Sequence, residues 1–454
     1  MIKNIITKDK DFYNNFFTLF ITLALQNIIT YSVNVADNVM LGTYSQLALN
    51  GAAAANQVQY ILQQFSLSGL GAGLAIMCSQ YFGKNDKKTI QKLTGIALII
   101  GLLVGIALST ITFISPMTMA KIFTDDINVQ NEAIKYFSIM LFTYPIFITT
   151  NILLTALRSI QIVKIAFRLS CFTLVLNTAL NYILIFGSFG FPELGISGAA
   201  IGTLISRICE LIIIVIYLNK AKLPIKFNFK EMLSFDLQLF KDFFRVTVPC
   251  IISAFLFSTA TAAQTAIFGH MSSNELAASS AASVLFQYCK MIPSSVAAAT
   301  NIIIAKIVGG SETHKIKPYT RTLQCLFILT GITTCILLLI IAPPVISIYS
   351  ITEEAKILAR YTIIIQGITL IFCSYQMPCQ LGIIRGGGDT RYVMISDFIY
   401  SYIFTIPLGL IAAFVFNMPY LVVLFCLNLD QYLKCITVSF KVNRYTWLKN
   451  ITRT

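Results

Sequence analysis

Twelve apolar runs, each long enough to cross a bilayer and separated by short polar breaks, constrain this chain more than any other feature. A hydrocarbon core about 30 Å thick takes roughly 20 apolar residues per helix. Runs of that length lie near residues 14–41, 48–81, 90–115, 130–157, 165–187, 195–218, 243–269, 275–305, 320–342, 353–384, 392–416 and 419–440. With 56% hydrophobic and 11% charged residues and a mean hydropathy of +0.77, the chain is too apolar for a soluble domain. The runs are continuous and rich in Leu, Ile and Ala, which excludes the two-residue alternation of an outer-membrane barrel. The fold class is therefore an all-α polytopic membrane protein. The first run is too long for a signal-peptide core and has no obvious small-residue cleavage site, so it is expected to stay.

The net charge of +14 does not point to nucleic acid, because Lys and Arg are spread over alternate connections rather than gathered on one face. Basic residues mark Lys84/Lys87/Lys88, Arg158/Lys164/Arg168, Lys220/Lys222/Lys226/Lys230, Lys315/Lys317/Arg321, Arg385/Arg391 and Lys441/Arg444/Lys449, whereas the intervening connections carry few. The positive-inside rule then places both termini in the cytoplasm of a multi-pass protein of the inner membrane. Eleven cysteines without paired spacing and two histidines indicate neither a disulfide framework nor a transition-metal site. No Walker loop, GxSxG or HExxH motif is present, so an enzyme is not expected and no cofactor beyond a coupling ion is called for. The glycine-rich "IRGGGDTR" at 384–391 reads as a tight turn with a positive anchor.

Sliding the chain by half its 454 residues brings Arg158 onto Arg385, Gly42 onto Gly269, Pro192 onto Pro419 and Arg207 onto Lys434. "QY" at Gln59–Tyr60 meets "QY" at Gln287–Tyr288 one residue out of register. The pattern predicts two six-helix bundles, 1–218 and 243–454, joined by a basic cytoplasmic linker at 219–242. Six helices per half make the repeat parallel, with a central cleft between the bundles, as in alternating-access transporters.

Polar groups inside the runs supply the candidate sites. In the first run Asn27, Thr30, Asn34 and Asp37 follow at steps of three, four and three, which puts them on one helical face. A charged side chain at mid-bilayer costs about 2.5–3.5 kcal/mol on insertion scales, so such a stripe should face a wet cavity. Counting roughly 20 residues at about 1.5 Å each from Phe16 puts Asp37 about 30 Å up, so an acid solvated at the outer rim also fits. In the fifth run Thr173, Asn177 and Asn181 recur at steps of four. Their amides, with Thr203 of the sixth run, can offer oxygens to a hard cation beside Asp37, or simply bond helix to helix. In the second half, Gln264, Gln287, Lys290 and Asp397 are candidates to line the cleft, Lys290 and Asp397 because neither has a local partner in sequence. Arg207 with Glu210, and Asp430 with Lys434, are spaced to pair within their own helices. Pro145, Pro249, Pro293, Pro378 and Pro407 can kink helices.

Three stretches resemble the multidrug and toxic compound extrusion (MATE) family: "VADNVMLGTYSQLALNGAAAANQV", "LNTALNYILIFGSFGFPELGISGAAIGTLISR" and "IRGGGDTRYVMISD". The resemblance runs through both halves. It implies a twelve-helix antiporter, driven by sodium or protons, that expels organic and often cationic drugs. It further implies a cation site at Asp37, Asn177 and Thr203. Three departures stand out. Asn181 stands where a second acid is usual, Thr22 where a proline is usual, and no glutamate lies near Phe257 in the seventh helix, while the repeat places Gln264 opposite Asp37. Coupling is therefore expected in the first half alone. The expected partners are small-molecule drugs and membrane lipid, and the chain is expected to act as a monomer. A lipid-linked oligosaccharide flippase of the same superfamily is the alternative, with a passive channel as a third class.

Overall fold

The computed structural model describes residues 6–221, 223–225, 228–234, 236–271, 273–348 and 352–453. Lys222 and Lys226, read as part of the basic linker, lie outside them. The chain is almost wholly helical. Among the described residues eleven helices are long and apolar enough to cross a membrane, and a bent pair makes a twelfth. They are α1 Lys10–Tyr44, α2 Gln46–Gly83, α3 Lys87–Ile114, α4 Ile127–Met140 with Thr143–Ser159, α5 Lys164–Phe186, α6 Ile196–Lys220, α7 Leu237–Gly269, α8 Ser273–Gly309, α9 Thr313–Ile348, α10 Glu353–Ile384, α11 Thr390–Val415 and α12 Tyr420–Asn443. Each expected run has its helix.

Local chemistry sets the ends. Ser45 accepts from the Ala48 N–H at the start of α2, Asp86 from Thr89 at α3, Asp126 from Asn128 at α4 and Thr352 from Ala355 at α10. Each satisfies an N–H that the first turn of a helix leaves unpaired. Gly187 closes α5 in the left-handed region at φ 67, where a side chain would be strained. The 55° bend of α4 follows from Pro145. Proline has no N–H for the carbonyl four residues back, which is that of Leu141, and this freed oxygen takes the Ser109 hydroxyl at 2.6 Å. Pro249 and Pro293 are carried inside α7 and α8, and α10 widens into a π-turn segment from Pro378.

The chain divides into two compact units. One comprises Leu25–Cys78 and Asp86–Thr247; in it α3 packs on the second limb of α4, α5 on α6, and α2 on the first limb of α4. The other comprises Met1–Ala24, Ser79–Asn85 and Val248–Thr454, with α8, α9 and α10 packed together and α12 laid on α10. Outward positions are apolar, as lipid requires: Leu103 of α3 is 63% exposed and Ile340 of α9 67%.

The glycine turn is tied down within the second unit. Trp447 is fully buried and donates to the Val442 carbonyl, and the Lys449 N–H bonds the Gly387 carbonyl at 2.8 Å. The Gln80 amide reaches Gly386 and Lys449 carbonyls and accepts from the Ile451 N–H. Asp389 is paired by Lys449 at 2.8 Å and Lys441 at 3.1 Å. The positive anchor of this turn comes from the C-terminal tail, more than fifty residues away in sequence.

Candidate functional site

Within the first unit, α1, α5 and α6 bring four polar side chains into a line. The Asn181 amide donates to the Asp37 carboxylate at 2.6 Å and to the side-chain oxygen of Asn177 at 3.3 Å. The Asn177 amide donates in turn to the Thr203 hydroxyl at 3.3 Å. The four-residue step along α5 stacks the two amides on one face, turned toward α6. Both are buried, Asn181 completely.

Gly202 makes the approach possible. A Cβ at that position would stand 2.2 Å from the Asn181 side-chain oxygen. That oxygen has no hydrogen-bond partner, nor does the buried Thr173 hydroxyl two turns earlier on α5. The Tyr136 phenol of α4 engages the side chains of Asn56 and Thr203, extending the polar line. Arg207, one turn beyond Thr203, is held by Glu210 at 2.8 Å and by the face of Phe147 at 5.0 Å, so the expected pairing within α6 is present. Arg207 acts on Asp37 only through space, and the hydrogen bond that Asp37 receives comes from the neutral amide of Asn181.

Carboxylate, amide and hydroxyl oxygens are hard donors that suit an alkali cation, and a proton on Asp37 would leave the same network intact. The unpartnered Asn181 oxygen is the atom that fits such a cation. Asn34 is exposed and stands outside these bonds, and the Thr30 hydroxyl returns to the Gln26 carbonyl of its own helix. Of Thr30, Asn34 and Asp37 on the polar stripe of α1, only Asp37 is bonded into the cluster.

The second unit treats its charges differently. Asp397, without a local partner in sequence, is paired by Lys434 of α12 at 3.0 Å and also accepts from Gln380 and Ser253. Lys434 makes the expected contact with Asp430 one turn away as well, at 3.4 Å. Gln264 donates to the Leu427 carbonyl at 2.9 Å and joins α7 to α12. Lys290 lies against the rings of Phe257 and Phe286, at 5.2 and 5.7 Å from their centroids. Gln287 is exposed one turn before it.

Sequence reasoning missed Gly202, Tyr136 and Asn56. The signal for Gly202 was present in the small-residue run "SGAAIGT", which permits close helix contact. Nothing local marked the other two.

Spanning helices, eleven and a bent pair among the described residues, with an intramembrane carboxylate met by a neutral amide, are the build of a membrane transporter. The MatE family model matches residues 22–183 and again 249–411, so the chain belongs to the MATE family of transporters and sits in its bacterial branch. The two matched segments begin half a chain apart, in line with the repeat. Probable multidrug resistance protein YoeA of Bacillus subtilis is 26% identical over 350 residues, 76% of this chain and 75% of that protein. Probable multidrug resistance protein NorM of Bacillus cereus is 26% identical over 407 residues, 89% of this chain and 88% of its own. Among solved structures, a MATE transporter in the bent conformation superposes with a TM-score of 0.86 at 17% identity, covering 97% of this chain and 98% of the other. The eukaryotic MATE transporter AtDTX14 gives 0.83 at 18%, with 97% of each chain covered. The chain is a multi-pass protein of the inner membrane.

Proposed function

We propose that this transporter exchanges a cation, sodium or proton, for organic compounds, cationic drugs among them, with coupling seated at Asp37. One observation carries the reading: the Asp37 carboxylate is met by Asn181, and through it by Asn177 and Thr203, rather than by a cationic side chain. A carboxylate paired with lysine needs no further cation, whereas one met only by neutral donors inside a membrane helix keeps a charge for an ion to neutralise. The relatives' names, multidrug resistance proteins, support export as the direction and drugs as the cargo. Ion and compound need not touch. Each needs only a different affinity for two states of the protein, here two six-helix halves, 1–218 and 243–454, that alternate in access. Both termini face the cytoplasm and the chain works as a monomer.

The test is efflux of a cationic dye from proteoliposomes under an imposed sodium or proton gradient, for the native chain and Asp37→Asn. Gradient-driven efflux lost in the folded variant supports coupling at Asp37 and names the ion. Undiminished efflux in the variant overturns it, and flux independent of either gradient makes the protein a passive channel. Absence of drug flux in the native chain under both gradients turns the assignment to a lipid-linked oligosaccharide flippase.

A further inference from the structure

Lys290 lies near the middle of α8, inside a membrane span, and among the described residues it forms no ion pair. Two intramembrane acids of its unit are committed elsewhere, since Lys434 holds Asp397 at 3.0 Å and Asp430 at 3.4 Å. What Lys290 has instead is two ring faces, Phe257 of α7 and Phe286 of its own helix. Aromatic faces favour the positive charge but are weak hydrogen-bond acceptors, and an ammonium carries three donors. The two rings meet the ammonium by their faces and leave its N–H groups without a hydrogen-bond acceptor among the described residues. Gln287, three residues earlier and so on the same side of α8, is exposed with its carboxamide bonded to no protein group among the described residues. Phe257 is 45% exposed and offers apolar surface beside the charge.

We propose that Lys290 and Gln287 form a binding site for the oxyanion of an amphiphile, a carboxylate or phosphate group borne on an apolar body that lies against Phe257. The proposal rests on the transport reading and adds to it a substrate class that resemblance to drug exporters does not supply. The ammonium provides charge and direction, the carboxamide a second N–H, and the ring the contact for the hydrocarbon part. An organic acid and an anionic lipid headgroup present the same oxyanion.

The full chain in phosphatidylcholine nanodiscs is titrated with three probes of one apolar body, pyrenebutyrate, pyrenebutanol and pyrenebutylamine, and its thermal midpoint is followed, because a ligand that binds the folded state raises it. Pyrenebutyrate is expected to raise the midpoint and the other two are not. Lys290→Gln should weaken pyrenebutyrate at least about tenfold, while Lys290→Arg retains it. Equal shifts for the three probes, no shift with pyrenebutyrate, or an unchanged shift in Lys290→Gln would each overturn the site. If Lys290→Gln is not recovered folded, the native chain's choice among the probes decides. Replacing a quarter of the lipid by phosphatidylglycerol separates the sources. A midpoint raised by that lipid only when Lys290 is present, with the pyrenebutyrate shift suppressed, assigns the site to headgroups, and no such competition assigns it to organic acids. These are equilibrium readings without a gradient, so failed ion coupling would leave them standing.

Discussion

Asp37 in one unit and the pair Asp397 and Asp430 in the other are the same chemical group inside membrane-spanning helices, and they are satisfied in opposite ways. Asp37 is met by the Asn181 amide at 2.6 Å, behind which stand Asn177 and Thr203. Asp397 and Asp430 share the Lys434 ammonium, whose side chain is only 7% exposed. An internal lysine supplies a fixed cation and takes the acids out of exchange, while neutral donors leave that role to an ion from solution. The repeat sharpens the contrast, since Gln264 stands opposite Asp37 and is spent on the Leu427 carbonyl. One unit thus holds an acid met by a neutral amide beside its Arg207–Glu210 pair, and the other gives both of these acids to a lysine.

The largest effect that would break this comparison belongs to Asp37. Asp37→Asn is expected to reduce gradient-driven efflux to the level of protein-free liposomes while the protein purifies and melts as the native chain does; Asp397→Asn with the same loss would erase the distinction between the halves. Next is Lys434→Met, which strands two buried carboxylates. Breaking a buried pair from one side costs about 3–5 kcal/mol, so the thermal midpoint should fall sharply, and adding Asp397→Asn and Asp430→Asn should recover most of it. Gly202→Ala tests the close approach at Asn181. Its methyl would require the side-chain oxygen to move, an overpacking of about 1–3 kcal/mol, and efflux should fall with it if the amide must face Asp37.

The smallest effect lies at the glycine turn. Burial pushes the Asp389 carboxyl up, but its bonds to Lys449 and Lys441 outweigh that and hold it below the ordinary range. A lowered value in the folded protein means stability that is present above about pH 4, the unfolded value, and lost as pH falls through the folded one. The midpoint difference between the native chain and Asp389→Asn should therefore be visible at pH 7 and shrink toward zero as the pH drops below 4. A difference that grew on acidification would show that this acid is not held by the two lysines.

How much was readable in advance differs between fold and site. Helix number and span were legible because the bilayer leaves backbone N–H and C=O groups no partner outside the helix, so any apolar run of sufficient length has one answer. At the site, the four-residue step of Asn177 and Asn181 announced a shared face, and resemblance joined it to Asp37 and Thr203. The stripe on α1 promised more, yet Thr30 and Asn34 stayed outside the bonds that Asp37 entered: a shared face gives direction, while a bond needs a neighbour at the right height. Asp397 and Lys434 are 37 residues apart, and no local rule pairs them.

The sequence by itself determined that this is a helical membrane transporter of the MATE family with one lone acid in its first span, because hydrophobic length and i, i+4 spacing act within a single helix. Only the tertiary structure decided which charges are spent on each other and which are left to a ligand. It gave Asp397 to a Lys434 already spaced to meet Asp430, the Asn181 amide to Asp37, and ring faces to Lys290. Pairing energies depend on distances of a few ångströms between helices, and those distances are fixed by packing.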